Sequence, residues 1–87
     1  MRGDKVIVRA LRDEPLVRRV WDVSEKAVFI CSEENFRLLA TGQLGLWPVG
    51  FFREDVFKYD ASVVHGINGK IEADPTLWER LTLWQEE

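Results

Sequence analysis

The sequence predicts a small domain that is mainly β, with about five strands, a short inserted helix and a C-terminal amphipathic helix. Three observations lead to this prediction. Short runs rich in β-branched and apolar residues recur from Asp4 to Tyr59, with turn residues between them. A single helical pattern follows Cys31. An Asp74-Pro75 pair then precedes an apolar stripe at helical spacing, as at a capped helix start. The chain has 87 residues, which fits one domain.

The first three strands are predicted at Asp4–Leu11, Leu16–Val23 and Ala27–Cys31. The first alternates at period two and ends at a turn before Pro15, which lacks a backbone N–H. The second has two half-apolar faces, so alternation alone leaves its buried face open. The third is an uninterrupted apolar run of strand length, typical of the centre of a sheet.

A short helix is predicted at Glu33–Thr41. Ser32 is a favourable N-cap, and two acids follow it in the first turn, where the helix dipole favours negative charge. Gly42 stands where a left-handed residue ends many helices. The alternative is an extended strand that continues the preceding apolar run.

Two more strands are predicted at Val49–Phe52 and Val56–Tyr59, joined by a tight turn at Arg53–Asp55 that resembles a single 3₁₀ turn. Five aromatic residues lie between Leu44 and Asp60. A chain of 87 residues needs a dense core, so we expect most of these rings to be buried and one or two to remain outside.

The last part of the chain, residues 61–87, is predicted to contain a hairpin or crossing segment and then the C-terminal helix. Asn68-Gly69 is a strong two-residue turn signal. The helix is expected to pack either on residues 1–60 or on a partner chain, because so short a helix is marginal alone. Its apolar stripe consists of Leu77, Trp78, Leu81 and Trp84.

Two segments resemble those of SH3-like small barrels. The chain opens on a Gly-Asp-x-Val-x-Val pattern at Gly3–Val8, and Gly50–Val56 runs through a tight turn into a last strand. The resemblance covers roughly residues 3–60 and implies a five-stranded SH3-like barrel. Arg53 stands where SH3 domains have a groove-lining Pro, and the chain lacks their Ala-Leu-Tyr-Asp-Tyr run and Trp pair. The resemblance therefore does not predict binding of proline-rich peptides.

Composition excludes several classes of function. The single cysteine, Cys31, allows no internal disulfide and fits a reducing cytoplasm. With one cysteine and one histidine, His65, a zinc site of the usual kind is not expected, and no nucleophile-base pattern or phosphate loop is present. We therefore expect no enzyme activity, no cofactor and no metal. No membrane-spanning run or N-terminal signal is present, which predicts a soluble cytoplasmic protein.

Aromatic and arginine side chains are the candidate binding residues. Trp47 precedes a proline in a loop-like region, and loops often carry binding residues. Trp21 lies on a strand face with two valines, which also fits a core position. Arg18 and Arg19 are adjacent and must face opposite ways, so only one can join a cationic face with neighbouring arginines. Arg53 is the remaining candidate, while Trp78, Leu81 and Trp84 are candidate interface residues.

The favoured function is a non-catalytic module for protein interaction or self-association. An alternative is a barrel that binds nucleic acid through its Arg-bearing strands, although the net charge of −3 argues against this. Charge is uneven: residues up to Cys31 carry +2 and the remainder −5. A further alternative is an oligomeric barrel that binds a small molecule. No membrane partner is expected.

Overall fold

The computed structural model describes residues 2–65, 70–71 and 74–85. A tight turn at Leu11–Asp13 and short 3₁₀ turns at Arg53–Asp55 and Ala61–Val63 connect the regular elements. These elements are β1 (Lys5–Arg9), β2 (Pro15–Val23), β3 (Ala27–Cys31), α1 (Glu33–Ala40), β4 (Val49–Phe52), β5 (Val56–Lys58), β6 (Val64–His65), β7 (Lys70–Ile71) and α2 (Leu77–Arg80).

Five strands form an antiparallel sheet in the order β4-β3-β2-β1-β5. In the central pairing, Lys5 lies opposite Arg19 and Val8 lies opposite Leu16. A bulge shifts the register between Val20 and Asp22, where β2 pairs with β3. The prediction of a mainly β chain with about five strands is confirmed, and the Arg53–Asp55 turn joins β4 to β5 as expected.

The sheet buries apolar residues on both of its faces. Strand β1 shows this most directly, because Val6 and Val8 belong to one cluster while Ile7 belongs to the other. The first cluster contains Val6, Val8, Val20, Val28, Ile30, Val56 and Trp84. The second contains Ile7, Phe57, Val63, Leu77 and Leu81. The sequence left open which face of β2 is buried, and the structure shows that both are. Val20 belongs to the first cluster, and Val17 packs against the second.

The inserted helix forms as predicted, and the alternative of a continuing strand is wrong. The Ser32 hydroxyl accepts a hydrogen bond from the Asn35 backbone N–H at 3.2 Å, which satisfies one of the free donors at the helix start. Gly42, at φ +78°, follows the helix in the left-handed region that glycine adopts without strain. The ring of Phe36 packs edge-on against Trp21, with 5.7 Å between centroids.

The C-terminal helix is much shorter than predicted. Helix α2 ends at Arg80, and Leu81 is already extended, with φ −88° and ψ 149°. Beyond it the chain pairs with β5: Lys58 donates its backbone N–H to the Thr82 carbonyl at 2.7 Å, and the Trp84 N–H donates to the Val56 carbonyl at 3.0 Å. The free edge of β5 offers backbone partners to residues 82–84, and these bonds replace the helical ones that the stripe predicted.

The described residues of the tail, 61–65, 70–71 and 74–85, include several that pack on the sheet of their own chain. Val63, Leu77 and Leu81 cover Ile7 and Phe57 in the second cluster. Strands β6 and β7 pair separately as a small two-stranded sheet. The predicted Asn68-Gly69 turn lies outside the described residues. Within those described, the C-terminal segment therefore completes the core of its own chain.

Candidate functional site

The two adjacent arginines of β2 lie on opposite faces, as alternation requires. Arg18 lies opposite Val6, and its guanidinium donates to the Val17 carbonyl at 2.8 Å. Arg19 lies opposite Lys5; its Nη1 donates to the Gly3 carbonyl and its Nη2 to a Glu33 carboxylate oxygen, both at 2.8 Å. Arg19 thus fastens the start of the chain and helix α1 to the sheet. The pair does not form one cationic surface.

The Arg53 side chain connects two turns of the chain by hydrogen bonds. Its Nη2 donates to the Ser24 carbonyl at 2.7 Å, and its Nε donates to the Glu25 carbonyl at 3.2 Å. These bonds hold the β2–β3 turn against the 3₁₀ turn that follows β4. An open recess of about 590 Å³ borders this arginine and is also lined by Glu54, Leu83, Trp84 and Gln85.

Arg9 and Trp78 belong to one contact group near α2. The Arg9 guanidinium pairs with the Asp55 carboxylate at 3.0 Å and lies 5.4 Å from the Trp78 ring centroid. Trp78 also packs on Phe57, at 5.1 Å between centroids. Because the Arg9 guanidinium contacts Asp55 and the Trp78 ring, it does not join Arg19 in a cationic face.

The other tryptophans differ in their surroundings. Trp21 is half-buried between the Phe36 ring and the Arg2 guanidinium, which lies 4.6 Å from the Trp21 ring centroid. Trp84 is 6% exposed, and Leu81 is 8% exposed. Leu81 and Trp84, predicted as interface residues, are thus core residues of their own chain.

Among the predicted binding residues, Trp47 is the one that is largely accessible to solvent, because it is 84% exposed. It lies among other exposed apolar side chains of the α1–β4 loop and of β4 itself. We call this group the apolar strip: Leu44 (98% exposed), Leu46 (74%), Trp47 (84%), Val49 (59%) and Phe52 (66%).

The loop that carries the strip is anchored to α1 through its backbone. The Gln43 N–H donates to the Leu38 carbonyl at 2.8 Å, and the Leu46 N–H donates to Asn35 Oδ1 at 3.3 Å. Gly45 lies so close to the helix that an added Cβ would stand 3.3 Å from Asn35 Oδ1. These contacts hold the backbone of the loop against α1, while the side chains of Leu44, Leu46 and Trp47 are largely exposed.

The strip coincides with an uncharged run that the sequence analysis did not single out. The twelve residues Thr41–Phe52 include no Asp, Glu, Lys or Arg, although 31% of the chain is charged. Solvated loops usually carry charge, so a neutral apolar loop in such a chain was a usable signal. Ring content drew attention to Trp47, but it did not separate Trp47 and Phe52 from the more buried rings of Phe51, Phe57 and Tyr59.

Strand β4 is a short edge strand of four residues that has no charge of its own and lies between Pro48 and Arg53. It pairs with β3 through Ala27–Phe52 and Ile30–Val49, and in the described part of the chain no other segment covers its outer side. The opposite edge, β5, is covered by residues 82–84. Exposed edges commonly carry a charge, a proline or a bulge that prevents pairing with another chain, whereas β4 reads Val-Gly-Phe-Phe.

The thiol of Cys31 is buried. Burial raises the pKa of the Cys31 thiol, against a smaller opposing effect of the Arg18 charge, so the reactive thiolate is disfavoured. No three His, Cys, Asp or Glu side chains converge on a metal-sized site within residues 2–65, 70–71 and 74–85. In the same ranges, no helix has the length and apolar character needed to cross a bilayer.

The features described above lie together in the α1–β4 loop and in β4. They are a fixed neutral loop, five exposed apolar side chains and an open strand edge. Comparison of the chain with models of known families, with curated proteins and with solved structures finds no match.

Proposed function

We propose that this chain is a non-catalytic association module and that the apolar strip is its contact surface. One observation carries the proposal: five large apolar side chains, each between 59% and 98% exposed, lie in one short uncharged segment. Single exposed apolar residues are ordinary, but large apolar side chains that are exposed at five of twelve consecutive positions support an interaction surface, even though Val49 and Phe52 lie on opposite faces of β4.

The energetics of the strip favour protein association. Burying apolar surface contributes roughly 25 cal/mol per Å² before the costs of association are subtracted. Tryptophan is also enriched among the residues that dominate interface affinity. The bonds from Gln43 and Leu46 to α1 fix the loop in advance, which lowers the entropy lost on binding.

The scaffold we propose for this module is an SH3-like small barrel spanning roughly residues 3–60. The strand order β4-β3-β2-β1-β5 and the 3₁₀ turn between β4 and β5 support it. The lone buried thiol of Cys31 is consistent with a cytoplasmic location for the module.

Protein is favoured over nucleic acid as the partner. Arg9, Arg19 and Arg53 each donate to an acceptor within the chain, so they are partly committed before any phosphate arrives. The strip itself carries no cation, whereas nucleic-acid surfaces combine aromatic side chains with basic ones. A small-molecule site has less support, because the recess beside Arg53 is open to solvent and would leave much of a ligand uncovered.

Site-specific photo-crosslinking tests this proposal. A benzophenone amino acid replaces Trp47 in one variant and Leu11 in a control; both native side chains are 84% exposed, and Leu11 lies outside the strip. The full chain is expressed in cells and irradiated. We expect a discrete protein adduct from position 47 and none above background from position 11. Equal or absent crosslinking at the two positions overturns the proposal.

A further inference from the structure

We infer that the protein held by the apolar strip is a second copy of this chain, with the two β4 strands pairing antiparallel about a two-fold axis. The inference rests on the proposed function and specifies its partner. The two five-stranded sheets would become one ten-stranded sheet, with the Trp47 and Val49 side chains of both copies near the junction.

The state of the two sheet edges restricts how copies can join. A head-to-tail assembly would pair β4 of one copy with β5 of the next, but the backbone of residues 82–84 already occupies β5 through Lys58 and Val56. The uncovered edge is β4. Pairing β4 with itself is an isologous contact, which closes after two copies and leaves neither β4 edge open.

The neutrality of the strip fits a copy of itself better than an unrelated partner. A two-fold axis brings each residue near the axis close to its own counterpart, so any charge there faces a like charge. Thr41–Phe52 avoids this repulsion because it has no charged residue, although each copy carries a net charge of −3. A surface selected for a charged partner would be expected to carry complementary charges.

The area available is of the right size. An aromatic side chain buries about 150–250 Å² when fully covered. Trp47 and Phe52 with three aliphatic residues, at the exposures given above, therefore offer several hundred Å² of apolar surface. A standard stable interface buries about 800 Å² per partner. Val49 and Phe52 lie on opposite faces of β4, so a paired β4 edge would draw on strip residues from both sides of the sheet, together with the β4 backbone, to approach that area.

Sedimentation equilibrium on the purified full chain, in reducing buffer over a range of concentrations, tests the inference. We expect a dimer, twice the 10.1 kDa mass of one chain. The double variant Leu44→Lys/Val49→Lys should raise the dimer dissociation constant at least tenfold, since it adds two positive charges to the strip of each copy and so introduces repulsion and a desolvation cost at the contact. Leu11→Lys is the matched control, and we expect it to leave dimerisation unchanged. Circular dichroism verifies that each variant is folded.

A charge-swap experiment separates symmetric pairing from unspecific apolar contact. Val49→Lys and Val49→Glu chains are purified separately and mixed, and native mass spectrometry distinguishes their dimers by mass. We expect the mixed Lys–Glu dimer to make up clearly more than the one half of all dimers that random pairing of an equimolar mixture gives, because unlike charges then stand on the two sides of the junction in place of like charges. A statistical distribution would contradict pairing through β4.

The outcomes for the inference and for the proposed function differ. A chain that stays monomeric, or a dimer equally sensitive to Leu11→Lys and to the double variant, overturns the inference. If position 47 nevertheless crosslinks to a different protein in cells, the association module stands and its partner is not a second copy. If position 47 gives no adduct and the chain is monomeric, both proposals fail.

Discussion

The indole Nε1 of Trp84 donates a hydrogen bond to Asp4 Oδ2 at 3.3 Å, across 80 residues of sequence. The rest of the Trp84 side chain packs in the first apolar cluster with Val6 and Val56. The contact joins the last described segment to the start of β1. Residues 82–84 therefore cover the β5 edge and also help to hold the core together.

Trp84→Ala is expected to lower the free energy of unfolding by about 3–5 kcal/mol, the usual range for removing a buried large aromatic side chain. A domain of this size is stable by only about 5–10 kcal/mol in total, so the variant should be close to unfolding at 25 °C. Urea denaturation monitored by circular dichroism measures the change. Trp84→Phe keeps most of the packing and loses the N–H donor, so its loss should be smaller. Equal stability of wild type and Trp84→Ala would contradict the core position of this ring.

Replacing Arg12 and Asp13 should stabilise the chain. Both have positive φ, 60° and 58°, in the tight turn between β1 and β2, where the Glu14 N–H donates to the Leu11 carbonyl. Left-handed backbone costs an ordinary residue roughly 1–2 kcal/mol, and Asn-Gly is the preferred pair for a turn with two such residues.

We expect Arg12→Asn/Asp13→Gly to raise the free energy of unfolding by about 1 kcal/mol, equivalent to a rise of about 4–8 °C in Tm. Differential scanning calorimetry measures this. The control is Lys26→Gly in the β2–β3 turn, where no positive φ occurs; glycine there should be neutral or destabilising. A double variant no more stable than the wild type would show that the turn is unstrained.

Local sequence signals predicted the sheet more successfully than the tail. The observed bounds of Val49–Phe52 and Arg53–Asp55 equal the predicted ones, because alternation and turn residues fix these elements over a few positions. The apolar stripe from Leu77 to Trp84 is an equally local signal and predicts a helix over its whole length, yet the chain leaves the helix at Leu81. A free strand edge more than twenty residues away in sequence decides this, and no local pattern records it.

The candidate site was predictable only in part. Trp47 was identified from its loop context, while the exposure of Val49 and Phe52 depends on β4 being an edge strand. Edge position is a property of the whole sheet order. The arginines were misleading for a related reason: the acceptors of Arg19 and Arg53 lie on distant elements, so the sequence displays the charges without their partners.

Two Asp-centred turns should make the stability depend on pH in the acid range. Asp60 Oδ1 accepts from the Ser62 N–H and hydroxyl at 2.9 and 2.7 Å, and Asp74 Oδ1 accepts from the same two groups of Thr76, both at 2.9 Å. These hydrogen bonds favour the carboxylate, so they lower the pKa of both groups below the ordinary value of 3.8.

A lowered folded-state pKa stabilises the fold above the unfolded pKa, and the contribution is lost as pH falls through the folded value. We therefore expect stability to fall below about pH 4, and Asp60→Asn/Asp74→Asn to flatten that decline, since Asn keeps an acceptor oxygen but does not titrate. Urea denaturation between pH 2 and 6 measures it. Ser62→Ala should move the Asp60 pKa back toward 3.8 in an NMR titration; an unmoved value would assign the shift to another cause.

Cys31 should resist thiol reagents as long as the domain is folded. The residue is 6% exposed, and its Sγ lies 3.9 Å from the Arg19 carbonyl. Burial raises the pKa of the thiol, so the reactive thiolate is scarcer at neutral pH than in an unfolded chain. Labelling with a disulfide reagent should then require opening of the fold, and its rate should fall at least a hundredfold relative to the urea-unfolded protein.

The control is Cys31→Ala/Lys26→Cys, whose exposed thiol should react quickly in the folded state. Because Trp84→Ala weakens the same domain, it should speed the labelling of Cys31 in proportion to its loss of stability. Rapid labelling of the folded wild type would mean that β3 opens locally beneath α1, and the two-sided core would then not behave as one cooperative unit.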